Sequence, residues 1–254
     1  MGLADEIKAE REFLKNAPLK KKIQYLLKYY KFHCVVLFIL LVITVINIYS
    51  AFTIKDTVLS GIMLNCVDTI SKGACEELEE SFIESMQLNP EKVKVELESS
   101  LTYLTEGSAN SVDSYVAVDV VSDRTAKGML DFVTGDLDTL SALAYSEFFV
   151  DLSTVLTEEQ MKQYEPYFLY IDLAVIERLE EIALSKDYAA EFSVPDSDKP
   201  DEMKNPIPVF IDISASERIN QIYSNEQDRI VFAVAVNALR EKAVCKFVDF
   251  LMGE

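Results

Sequence analysis

The chain has 254 residues, half of them hydrophobic, with only 7 Gly and 7 Pro; this composition belongs to a folded protein, not a disordered or collagen-like one. Its net charge of −19, from 24 basic against 43 acidic residues, argues against nucleic acid as a partner, because phosphate is neutralised by basic patches. The one histidine, His33, falls in an apolar run, so histidine-based triads and zinc sites are excluded from the remainder.

Residues 3–14 place Leu3, Ile7 and Leu14 at helical spacing among charges, which predicts a short amphipathic helix. Asn16-Ala17-Pro18 breaks it. A second helix begins after Pro18 and runs onward, with Tyr25, Tyr29 and Tyr30 suited to a membrane-interface aromatic belt. The stretch Phe32 to Ile54 then carries no Asp, Glu, Lys or Arg. As a helix it would be about 34 Å long, which matches a hydrocarbon core of about 30 Å.

The flanks of this stretch set its orientation. Six basic and no acidic residues lie between Lys15 and Lys31, and positive flanks stay cytoplasmic. Residues 55–254 hold 16 basic and 39 acidic groups; such a surface keeps an exposed domain soluble. The apolar run exceeds a signal-peptide core, and Ile48-Tyr49-Ser50-Ala51-Phe52 is a poor cleavage site. Neither Leu64-Asn65-Cys66 nor Gly73-Ala74-Cys75 makes a lipobox. The expectation is an uncleaved single-pass anchor in the cell membrane: residues 1–31 cytoplasmic, 32–54 spanning the bilayer, and 55–254 outside. Thr44, Asn47 and Ser50 fall three apart and form a candidate helix-packing stripe. Only Lys55 and Asp56 separate the span from the next apolar segment.

That segment, Thr57–Cys66, predicts a strand. Cys75–Leu88 has Leu78, Phe82 and Met86 on one face and carboxylates on the other, as a helix would. Lys92–Leu97 alternates as a half-exposed strand, and Leu101–Asn110 reads as a loop. Ser111–Thr134 reads as mostly helical, with its Val-rich start open to a strand reading. Leu137–Leu140 is a strand candidate and Ser141–Phe148 a helical turn or two. Phe149–Leu156 reads as loop, and Thr157-Glu158-Glu159-Gln160 opens a capped helix that ends near Pro166. Tyr167–Asp172 predicts a strand, Leu173–Leu184 a helix, and the proline-bearing Phe192–Pro206 a loop. A strand at Pro208–Ser214, a helix at Ser216–Tyr223, a buried central strand at Asp228–Asn237 and a helix at Leu239–Met252 complete the chain. Helices alternating with short apolar strands predict an α/β domain with a largely parallel or mixed sheet.

Few residues suggest chemistry. There is no P-loop, GxGxxG or GxSxG, and no catalytic residue, metal ligand or cofactor is expected. Asp136 and Asp138 beside Gly135 read as turn and cap residues. Asp196, Asp198, Asp201 and Glu202 read as a solvated loop that lacks EF-hand spacing. Phe148, Phe149, Tyr164, Tyr167, Phe168 and Tyr170 read as core before cleft. Among Cys66, Cys75 and Cys245 at most one bridge can form, and small buried hydrophobes are the expected role.

The order of phrases carries a resemblance. After the anchor and first strand come Val133-Thr134-Gly135-Asp136-Leu137-Asp138, then Phe149-Val150-Asp151-Leu152-Ser153, then Val209-Phe210-Ile211-Asp212-Ile213-Ser214, and a late strand ending in Val236-Asn237. This resembles membrane-anchored proteins of Firmicutes such as Clostridia, whose outer domains are similar to type 2 periplasmic solute-binding proteins. The resemblance spans residues 57–254 and implies a two-lobed α/β architecture, here reduced in length. It supplies no ligand residues. The function expected is non-catalytic recognition of a small solute or an envelope protein by an outer domain held at the lipid bilayer. The alternative is a scaffold component of a membrane or envelope complex.

Overall fold

The computed structural model describes residues 15, 17–23, 31–53, 55–66, 68–103, 112–185, 193–223 and 229–253. The sequence-predicted helix at 3–14, the aromatic belt and Ile54 lie outside the described residues. The chain divides into two compact units, Met1–Ile54 and Lys55–Glu254.

In the first unit, Lys31–Thr53 forms one helix, α1. Leu37, Phe38, Ile39, Leu40 and Leu41 are each more than half exposed. Five successive helical positions cover the whole circumference, so this helix has no polar side and no single apolar stripe to bury. Thr44 Oγ1 donates to Leu40 O at 2.8 Å and Asn47 Nδ2 to Ile43 O at 2.7 Å. Both polar side chains are thus satisfied by their own helix; the side chain of Ser50 lies outside the described residues. Among the described residues no helix is long and apolar enough to cross a membrane.

The second unit is built on one six-stranded mixed sheet in the order β2-β1-β3-β6-β5-β4. Its elements are β1 (Asp56–Met63), α2 (Asp68–Ser85), β2 (Val93–Glu98), α3 (Val112–Ala126), β3 (Phe132–Asp136), α4 (Leu137–Ala144), α5 (Glu158–Tyr164), β4 (Phe168–Asp172), α6 (Leu173–Ser185), β5 (Pro206–Asp212), β6 (Ile230–Val234) and α7 (Glu241–Met252). β1 runs parallel to both β2 and β3, whereas β6 is antiparallel to β3 and β5, and β4 is antiparallel to β5.

Helices cover both faces. Ile230, Phe232 and Val234 of β6 enter one apolar cluster, and Val231 and Ala233 enter the other. The period of two sends successive side chains to opposite faces, which is why the β6 segment reads as a continuous apolar run. On the first face, Cys75, Leu78 and Phe82 of α2 meet Phe247 of α7. Phe132 stacks on Phe232 with centroids 4.9 Å apart, and Phe247 lies 4.9 Å from both Phe82 and Phe132. On the second face, Ala117 and Val121 of α3 and Leu140 and Leu143 of α4 pack on Ile62, Val133 and Phe210. A Cβ at Gly61 would fall 2.1 Å from the Phe132 ring, so only glycine lets that ring cross β1.

Several elements differ from the sequence expectation. α3 stops at Ala126 because Gly128, at φ +63°, closes it in a Schellman turn: Gly128 N donates to Thr125 O at 3.0 Å and Met129 N to Arg124 O at 2.8 Å. The apolar residues that follow are the buried strand β3, not a continuation of the helix. Leu137–Leu140 is helical, not a strand, because Asp136 caps α4 directly at the end of β3. Ser216–Tyr223 forms turns and one 3-10 turn at Ile219–Gln221. Its Ser216 Oγ donates to Leu251 O at 2.7 Å instead of capping a helix. The resemblance implies two lobes; residues 55–254 form one unit around one sheet.

Candidate functional site

The strand order places a topological switch point between β1 and β3. From β1 the chain crosses by α2 on one face to β2, then returns by α3 on the other face to β3. The two crossovers diverge between the carboxyl ends of β1 and β3. Such a switch point is where open α/β sheets place ligands.

Asn65 occupies this point in the left-handed conformation, at φ +60°, a region that asparagine tolerates better than most residues. Its Nδ2 donates to Tyr103 O at 2.8 Å, to Asp136 Oδ2 at 2.6 Å and to Thr139 Oγ1 at 3.1 Å. Its Oδ1 accepts from Tyr103 N at 2.8 Å. One side chain therefore ties the exit of β1, the segment after β2 and the first turn of α4. Asp136 Oδ1 accepts from Thr139 N at 2.9 Å, so the carboxylate serves as the cap the sequence suggests. Asp138 lies in the first turn of the same helix.

Beside Asn65 lies a sulfur and hydroxyl group. Cys66 Sγ donates to Met63 O at 3.1 Å, and Cys75 Sγ meets Met63 Sδ at 3.6 Å. The two thiols are coupled: the influence of Cys75 pushes the Cys66 thiol far above the usual range, and that of Cys66 lowers the Cys75 thiol. Thr134 Oγ1 and Tyr223 Oη are 2.8 Å apart in the core. Burial pushes the Tyr223 phenol well above its ordinary value, and the neighbouring Cys66 adds to this. The phenol is therefore a neutral hydrogen-bonding group. Cys66, Cys75 and Cys245 are free thiols.

The adjoining antiparallel strands bring a charged group to the same end of the sheet. Arg229, just before β6, donates through Nε to Asp212 Oδ2 at 2.9 Å and through Nη1 to Asp198 Oδ2 at 2.6 Å. Asp198 is the main cause of the raised guanidinium pKa. The acidic loop of the sequence reading is thus partly neutralised: Asp196 and Glu202 lie within 3.7 Å of Lys199.

The sequence-singled aromatics divide. Phe149, Tyr164 and Phe168 are buried, whereas Tyr167 is exposed; Tyr164 Oη donates to Asp249 Oδ1 at 2.7 Å. Two surface grooves lie elsewhere. One of about 510 Å³ is lined by Asp172, Arg178 and Lys204, and another of about 740 Å³ by Gln160, Cys245 and Asp249. Among the described residues no group of three or more His, Cys, Asp or Glu could hold a metal ion.

Asn65, Tyr223 and Arg229 have no sequence signal that marks them as neighbours. The available hint was Asn65 itself, an asparagine at the end of a predicted strand where a turn must begin. No protein-family model, curated protein or solved structure matches the chain.

Proposed function

We propose that this is a single-pass membrane protein whose N-terminus is cytoplasmic and whose residues 55–254 form an outer, non-catalytic, solute-binding-like recognition domain. The observation that carries the anchor is the helix α1, apolar around its circumference in a run free of charge from Phe32 to Ile54. In water each fully exposed Leu, Ile or Phe forgoes about 1.5–3 kcal/mol of burial, and a bilayer supplies that burial on every side. Recognition is assigned to the carboxyl ends of β1 and β3, where Asn65 and Asp136 form a hydrogen-bonded polar floor. The ligand class is a small polar solute or an extended peptide able to hydrogen-bond that floor.

The detergent-solubilised full chain, screened by thermal shift against amino acids, short peptides and sugars, tests the recognition reading. A ligand that stabilises the wild type and loses its effect in Asn65→Gly supports it; uniform silence across the three classes counts against it. The scaffold alternative draws on exposed Val112, Tyr115 and Val116 along α3. Cross-linking in membranes that recovers one stable partner through that helix would favour it.

A further inference from the structure

We propose that Cys66 and Cys75 form a reversible dithiol–disulfide pair, oxidised by exchange with a low-molecular-weight disulfide. The fold brings the two residues together from different elements: Cys66 follows β1, and Cys75 lies within α2. Met63 stands between them, accepting from Cys66 Sγ through its carbonyl at 3.1 Å and meeting Cys75 Sγ through its sulfur at 3.6 Å. Both sulfurs thus lie against the same methionine, and each thiol shifts the ionisation of the other.

The surroundings suit the chemistry. Cys66 is partly exposed and admits a small oxidant, while Cys75 is buried and can act only on its neighbour. Ser99 hydrogen-bonds the Cys75 thiol and favours its ionised form. The proton of the pair rests on Cys66 and the thiolate on Cys75. Cys75 therefore acts first as the base: its thiolate takes the Cys66 proton as the more accessible Cys66 sulfur attacks one sulfur of the reagent, whose S–S bond breaks as one thiolate leaves. Cys75 then gives up its proton and attacks Cys66 Sγ in the mixed disulfide. The second reagent thiolate departs as the Cys66–Cys75 bond forms. Two protein thiols are oxidised, one reagent disulfide is reduced to two thiols, and the two protons pass to the leaving thiolates. The bridge would pin the start of α2 to the exit of β1, beside Asn65, and remove the thiol that neighbours Tyr223.

The test uses the reduced, detergent-solubilised full chain exposed to oxidised glutathione, followed by alkylation and peptide mass mapping. The wild type should lose two hydrogens, yield one cross-linked peptide containing Cys66 and Cys75, leave Cys245 alkylated, and revert with dithiothreitol. Cys75→Ala should stop at a stable glutathione adduct on Cys66, and Cys66→Ala should lose all modification at Cys75. The pairing is refuted if the wild type stops at an adduct on Cys66, if Cys66 links instead to Cys245, or if both thiols stay alkylatable. The wild-type map alone decides should either variant fail to fold.

Discussion

The two ends of β3 solve the same problem by different means. At its start, Asp131 is completely buried and accepts from Ser60 N and from Arg240 Nη1, both at 2.8 Å, while Arg240 Nε reaches Thr57 O at 3.0 Å. A full charge pair thus clamps the entry to α7 onto β1. At its end, Asp136 is held by Asn65 and its own helix, with thiols and a neutral phenol alongside. The first end is a rigid closure in which every partner is part of the scaffold. The second gathers an amide, a carboxylate, free thiols and a phenol where the crossovers part. The sheet is braced by an ion pair at one end and carries uncrosslinked polar side chains at the other.

The largest difference between the two ends should appear on mutation. Arg240→Ala leaves the Asp131 carboxylate buried without its cation. Such half-broken pairs cost about 3–5 kcal/mol, so urea unfolding of the full chain should shift strongly. A loss under about 1 kcal/mol would mean the pair behaves as a surface bridge. At the other end, Asn65→Ala should cost about 1–2 kcal/mol, because it removes the side-chain bonds and leaves alanine at positive φ. Asn65→Gly relieves the backbone part and should recover some of that loss. Equal effects of the two variants would show that the left-handed backbone contributes nothing.

A smaller effect concerns the carboxylates that merely hold loops. Burial alone would raise the Asp172 pKa, but N–H donors from Lys204, Asn205 and Ala174 outweigh it and leave it lowered. A depressed folded value stabilises the native state above the unfolded value of about 3.9. That contribution is lost as pH falls through the folded value. Glu79 has the opposite sign: burial raises it, so acidification toward its folded value favours the fold. Asp172→Asn should therefore flatten the acid limb of a stability–pH curve, and Glu79→Gln should steepen it. Identical limbs for wild type and Asp172→Asn would remove Asp172 from the account.

How much of this was legible follows from which residues act locally. The strand at Ile230–Val234 and the helix at Glu241–Met252 announce themselves because burial on two faces and on one face leaves different periods. The capping box at Thr157 and Gln160 is likewise written within four residues. The β3 boundary was not legible in this way, since Met129 to Thr134 continues an apolar pattern and only the backbone at Gly128 stops the helix. The site was less legible still. Asn65 meets Asp136 across 71 residues and Arg240 meets Asp131 across 109, and pairings so distant leave no periodic trace. Cys66 and Cys75 were close enough in sequence to suggest a pair, but whether the intervening turn of chain brings the sulfurs together depends on Met63 and the packing of α2.

The most direct test of the whole account is protease digestion of intact cells or right-side-out vesicles carrying the full chain, after an alkaline wash of the membranes. The account predicts that the chain resists extraction and that external protease removes residues 55–254 while a fragment bearing the basic N-terminus and Phe32–Ile54 is protected. Release of the chain by alkali, or full protection of residues 55–254 until the membrane is permeabilised, would contradict it.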